Sequence, residues 1–122
     1  MKRNITDELF SKYIRLLEGG ECRKCHKYFG LTQGLHCAHF ITRGKRGLRW
    51  ERDNATALCT KHHFEIDADK AVKNEFFLGI LGKERFEELL RLEHTYRKVT
   101  KVDEIPIRED LRKKIKLLEG KW

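Results

Sequence analysis

The sequence predicts an α+β fold in which a zinc-stabilised β-hairpin and helix form the core, flanked by N- and C-terminal helices. Two pairs of closely spaced metal-ligand residues, Cys22-Arg23-Lys24-Cys25 and Cys59-Thr60-Lys61-His62, bracket the middle of the chain. The stretch between them is glycine-punctuated and strand-like, whereas apolar residues recur at helical spacing before and after it. With 122 residues the chain has the length of one domain, residues 1–122. A domain of this size has a thin core and calls for reinforcement, which the two pairs would supply.

The elements follow in order. Thr6-Asp7-Glu8, then Leu9, Phe10, Tyr13, Ile14, Leu16 and Leu17, read as a capped amphipathic helix over 6–18, stopped by Gly19-Gly20. The central core spans 21–69. Within it Leu35 to Ile41 reads as a strand, Thr42 to Gly47 as a basic loop, and Leu48-Arg49-Trp50 as a second extended segment. Asp53-Asn54 marks a turn, because both side chain types bond their own backbone. Ala55 to Leu58 leads into the second pair, and the chain looks helical from His62. The C-terminal helices occupy 70–119: Val72 to Leu81 ended by Gly82, Glu84 to Lys98, and a last helix starting near Pro106 and running through Ile107, Leu111, Ile115 and Leu118.

Lys and Arg number 27 against 19 Asp and Glu, a formal charge of +8 with a pI near 9.5. No apolar run approaches the roughly 18–20 residues of a membrane helix. The N-terminus turns acidic before any apolar region, so no signal peptide is expected either. These features place the chain in the cytoplasm, with nucleic acid as the first candidate partner.

In such a compartment four cysteines read as metal ligands rather than disulfides. Each two-residue spacer turns its pair onto one ion, so Cys22, Cys25, Cys59 and His62 make a tetrahedral Cys3His zinc site. Four protein ligands leave no open position, so this zinc would be structural. The remaining cysteine, Cys37, reads as a buried bystander.

Catalytic chemistry is expected between the two pairs. His39 on the first strand, Asn54 in the hairpin loop and His63 on the following helix follow one another in the order His-Asn-His. A hairpin packed on a helix can aim a strand imidazole and helix ligands into one cleft. His39 would take a proton from water as general base. His63 would hold a divalent ion, Mg2+ or Mn2+, that stabilises charge on the phosphorane and the leaving oxygen. Asp67, four residues after His63, falls on the same helical face and could share that ion. His36, three residues before His39, points to the opposite strand face and reads as a surface or supporting residue. His26 reads as exposed, and His94 has no motif around it.

These residues carry a resemblance. The segment is similar to the ββα-metal (HNH, His-Me finger) nucleases, and more closely to the C-terminal nuclease region of the NinG/Rap recombination proteins of lambdoid phages. The shared positions are Tyr13-Ile14-Arg15, Cys22-x2-Cys25, Ala38-His39-Phe40-x-Thr42, Leu48-Arg49-Trp50-x3-Asn54 and Cys59-x2-His62-His63. The likeness covers about Phe10 to Leu118. It implies His39 as general base, Asn54 as the loop-ordering asparagine, position 63 as a ligand of the catalytic metal, and a branched-DNA or Holliday-junction endonuclease of phage recombination, acting in the host cytoplasm. The chain departs from the pattern in having Ala38 where many HNH enzymes place a metal-binding aspartate, and His62 in place of a fourth zinc cysteine. It also carries His63 where these relatives often have asparagine, and it lacks the extra cysteine-bearing N-terminal region of longer members.

Arg43, Lys45, Arg46 and Arg49 lie beside the expected cleft, spaced by glycines that let phosphate approach, and are expected to contact the DNA backbone. The apolar stripes of the C-terminal helices read as core or as the face of a twofold homodimer. Two other functions remain open on these residues: an HNH nicking, restriction or packaging-type endonuclease on linear duplex, and a non-catalytic, zinc-stabilised DNA-binding module.

Overall fold

The computed structural model describes residues 4–42, 46–95 and 99–122. Among them are five α-helices and one two-stranded antiparallel sheet, in the order α1 (Ile5–Leu17), β1 (Leu35–His39), β2 (Ala55–Cys59), α2 (Thr60–Asp67), α3 (Lys70–Leu81), α4 (Lys83–Glu93) and α5 (Lys101–Glu119). No helix among these residues is long and apolar enough to cross a membrane.

Helix α1 begins because Asn4 and Asp7 satisfy each other's backbone. The Asn4 side chain accepts from Asp7 N at 2.9 Å, and the Asp7 carboxylate accepts from Asn4 N at 3.0 Å. The helix stops where Gly20 takes φ +73°, a conformation that a Cβ disfavours. Space forbids a side chain there as well, since a Cβ would lie 2.9 Å from the Gly30 Cα and 2.8 Å from the Trp122 ring.

Strands β1 and β2 pair from Leu35–Cys59 to His39–Ala55. Side chains alternate between the two faces of this ribbon. Cys37 packs on the cluster of Phe10, Ile14 and Ala55 beneath α1, and the His39 ring lies 5.7 Å from that of Phe10. His36 instead reaches α2. A second cluster of Cys22, Leu35, Ala38, Leu58, Cys59 and Ile66 joins the ribbon to α2, and a third packs Phe40, Ile41 and Leu48 against Phe77 and Leu89. Phe77 and Leu89 are fully buried, so part of the apolar stripe on α3 and α4 is core within this chain.

Most boundaries fall within two residues of the sequence reading, with β1 ending at His39, α2 starting at Thr60 and α3 at Lys70; larger differences lie in three places. Leu48-Arg49-Trp50 is not extended: Arg46–Leu48 and Arg52–Asn54 form two 3-10 turns, and β1 takes Ala55–Cys59 as its partner. Long-range bonds outweigh local β-propensity here, because Arg49 and Trp50 both donate to Asp7, 42 and 43 residues away. Helix α4 ends at Glu93, closed by 3-10-type bonds from His94 N to Arg91 O and from Thr95 N to Leu92 O; Lys98, the expected end, lies outside the described residues. Helix α5 starts at Lys101, capped by Thr100 with Asp103, and runs through Pro106. An interior proline costs about 3 kcal/mol. Burial of Leu111 and Ile115 against α1 offsets it, as do the bonds that Glu104 accepts from Thr6 Oγ1 at 2.7 Å and Asn4 Nδ2 at 3.2 Å.

Candidate metal centre and cleft

Four ligand atoms converge at the junction of ribbon and helix. Cys22 and Cys25 come from a tight loop closed by His26 N donating to Cys22 O at 2.8 Å, with His26 itself at φ +62°. Cys59 is the last residue of β2, and His62 lies in the first turn of α2. The donor atoms of all four lie within 4.8 Å of one another, with His62 Nδ1 3.2 Å from Cys59 Sγ and 3.8 Å from Cys22 Sγ. Burial opposes ionisation of Cys22, but N–H donors from Cys25, Cys59 and Lys24, with the His62 ring, outweigh it and draw the thiol down to about 6. Burial and the neighbouring Cys22 sulfur push Cys59 the other way. One thiolate ready at neutral pH beside two further sulfurs and an imidazole nitrogen is a donor set that could hold zinc with no position left open.

A groove of about 700 Å³ runs along α1 and β1 to α2, lined among others by Asp7, His36, His39, His63, Asp67 and Lys73. It brings His39 and His63 to one surface from two different elements. His39 Nε2 lies 2.9 Å from the backbone oxygen of Arg49. A carbonyl only accepts, so Nε2 carries the proton and Nδ1 is the basic nitrogen of the neutral ring.

Arg49 corrects one expectation. It is 3% exposed and bound to Asp7 through Nε at 2.8 Å and through a second, short contact from NH2. A guanidinium held this way cannot meet a phosphate; its contribution to the groove is to fix the carbonyl that anchors His39. Arg43, Lys45 and the side chain of Arg46 lie outside the described residues.

The Asp7–Arg49 pair carries a stability prediction. Burial works against the Asp7 charge, but donors from Arg49, the Asn4 N–H and the Trp50 indole outweigh it and hold the carboxyl below its ordinary 3.8. A depressed acid stabilises the fold above the ordinary carboxylate range, and that stability is lost as pH falls through the lowered value. Asp7→Asn removes the carboxylate charge that the buried guanidinium pairs with and should lower unfolding free energy by about 3–5 kcal/mol at neutral pH. In urea melts the deficit should shrink at low pH, where the parent loses the same charge.

Asn54 is fully buried and spans the mouth of the loop. Its Nδ2 donates to Ile41 O at 2.9 Å and Leu48 O at 3.1 Å, and its Oδ1 accepts from Ile41 N at 2.7 Å. The side chain therefore ties Ile41 to Leu48, and Asn54 is not among the residues that line the groove.

His63 is half-buried. Burial pushes its imidazole below the ordinary value; Asp67 opposes this, while His36 and Lys73 add to it. Its Nε2 lies 3.1 Å from Asp67 Oδ2, and the other Asp67 oxygen meets Lys73 Nζ at 3.1 Å. Its Nδ1 lies 2.9 Å from His36 Nδ1, and His36 Nε2 lies 3.2 Å from Thr60 Oγ1. Strand alternation turns His36 away from His39. The same alternation sends it to the helix that carries His63, which was the available signal. Asp7 had none, because its partner lies 42 residues along the chain.

No protein-family model, curated protein or solved structure matches the chain.

Proposed function

We propose that the protein is a metal-dependent DNA endonuclease of the ββα-metal type that prefers branched DNA. The observation that carries the reading is the single groove to which β1 brings an imidazole anchored at Nε2 and α2 brings a second, neutral-leaning imidazole. The consecutive β1, β2 and α2, with a Cys3His cluster that could hold zinc where they meet, support the reading that the resemblance to the NinG/Rap nucleases suggests.

In this reading His39 Nδ1 takes a proton from a water molecule, whose oxygen attacks the phosphorus. The Arg49 carbonyl keeps the ring in the required tautomer and stabilises the imidazolium that forms. Asn54 ties Ile41 to Leu48 on the chain that follows His39. His63, oriented by Asp67, would hold the divalent ion, which the resemblance makes Mg2+ or Mn2+; the lone-pair nitrogen of a neutral ring is a donor that later first-row ions take more readily than Mg2+ does. Bound there, the ion would offset charge on the pentacovalent phosphate and the leaving oxygen. The excess of +8 supports attraction to a polyanion, with Arg43, Lys45 and Arg46 as the phosphate contacts.

The test is cleavage by the zinc-loaded protein, with Mn2+ or Mg2+ and an EDTA control, of a four-way junction, a flap and a linear duplex of the same sequence. Faster cutting of the junction, with binding that weakens steeply as salt rises, is expected. Equal rates on junction and duplex would replace branch preference with a nicking activity. Binding without cleavage under any cation would leave a zinc-stabilised DNA-binding module.

A further inference from the structure

We propose that His36 and His63 together form a two-nitrogen clamp for the cation of the groove, and that this clamp selects nickel- and cobalt-like cations over Mg2+. The inference rests on the reading above in placing a cation there, but it assigns the cation a ligand and a chemical preference that the His-Asn-His pattern does not contain.

The argument begins with distance. The two Nδ1 atoms lie 2.9 Å apart. Metal–imidazole bonds are about 2.0–2.1 Å, so two such bonds at a right angle place their nitrogens roughly 2.9 Å apart. The pair is already spaced as neighbouring ligands of one ion.

Proton placement agrees. The Asp67 carboxylate at 3.1 Å accepts from His63 Nε2, which leaves the lone pair of the neutral ring on Nδ1. Without a cation, His36 Nδ1 must donate into that lone pair. With a cation, His36 must instead carry its proton on Nε2, and there it meets Thr60 Oγ1 at 3.2 Å. A hydroxyl both donates and accepts, so Thr60 accompanies either tautomer at no loss of a bond. Each ring is thus backed through its second nitrogen, as metal-bound histidines usually are. Ala38, on the same strand face as His36 and 1% exposed, offers no donor, so among these two positions of β1 only His36 can contribute to the pair.

Ligand chemistry then sets the preference. Mg2+ favours oxygen donors and keeps its waters, whereas imidazole pairs favour later first-row ions. Asp67 does not reverse this, since its oxygens are engaged by His63 and Lys73.

The test is calorimetric titration of the zinc-loaded full chain with Ni2+ and, separately, Mg2+, without DNA. One Ni2+ per chain beyond the zinc is expected, with Mg2+ binding at least 100-fold weaker. His36→Ala and His63→Ala should each weaken Ni2+ at least tenfold, while His26→Ala and His94→Ala, which remove exposed histidines, should not. His36→Gln, which keeps side-chain bulk and a partner for Thr60, should fail in the same way as His36→Ala; melting curves establish that each variant folds. Ni2+ affinity unchanged in His36→Gln, or lost in His26→Ala, would overturn the clamp. Ni2+ binding as expected in a protein that cuts no DNA would uphold the clamp and remove the endonuclease reading. Cleavage that persists with undiminished Ni2+ affinity in His36→Gln would do the reverse.

Discussion

Removal of zinc should unfold the centre of this protein. The Cys3His donors come from three places in the chain: the 22–25 loop, the end of β2 and the first turn of α2. The buried part of the apolar cluster that would otherwise hold these parts together is built largely from small side chains, Cys22, Ala38, Ala57 and Cys59, with Leu35, Leu58 and Ile66, and Phe29 and Phe76 pack on it only partly buried. Burial at about 25 cal/mol per Å² leaves such a cluster weak. Structural zinc in small domains contributes about 10–16 kcal/mol, as large as the whole margin of roughly 5–15 kcal/mol that separates folded domains from their unfolded chains in most cases. Elemental analysis should find one zinc per chain. Cys59→Ala, or prolonged chelation, should abolish the cooperative melt of the ribbon and α2, followed by amide hydrogen exchange of residues 35–39 and 55–67. The packing of α1 on α5 is separate from this cluster and should lose protection later. A Cys59→Ala protein that melts with the parent and holds no metal would refute the assignment.

Replacement of His39 by alanine should cost about 10²–10⁴-fold in cleavage, the usual worth of a general base, with little change in DNA affinity. The side chain meets the Arg49 carbonyl and the Phe10 ring, whereas the ribbon itself is held by the backbone pairing of β1 with β2. The melting temperature should therefore move far less than in Asp7→Asn. Two readouts separate loss of the base from mere disturbance. Single-turnover rates should fall without a matching change in dissociation constant, and the acidic limb of the pH–rate profile, on which the base is protonated, should disappear. Parental rates in a folded His39→Ala protein would move the base elsewhere, with His36 the next imidazole along the strand.

Local features of the sequence were enough for the parts that depend on neighbours in the chain. The two-residue spacers of Cys22-x2-Cys25 and Cys59-x2-His62 turn each pair toward one point wherever the rest of the chain lies. Capping residues and 3.6-residue periodicity likewise decide where α1 and α3 form, within a residue or two. Asp53-Asn54 reads as a turn from residue type alone, and the Asn54 side chain bonds the backbone of Ile41 and Leu48. Contacts between distant residues decided the rest. Whether Arg49 faces solvent or a carboxylate depended on Asp7 in another helix, and once that pair was buried, Leu48-Arg49-Trp50 became turn rather than strand. Glu104 and Leu111 docking on α1 kept a proline inside α5. Strand alternation separates His36 from His39, but only the packing of α2 on that ribbon face brings His36 to 2.9 Å from His63. Periodicity assigns a residue to a face; what occupies the space opposite that face is set by the chain's long-range packing.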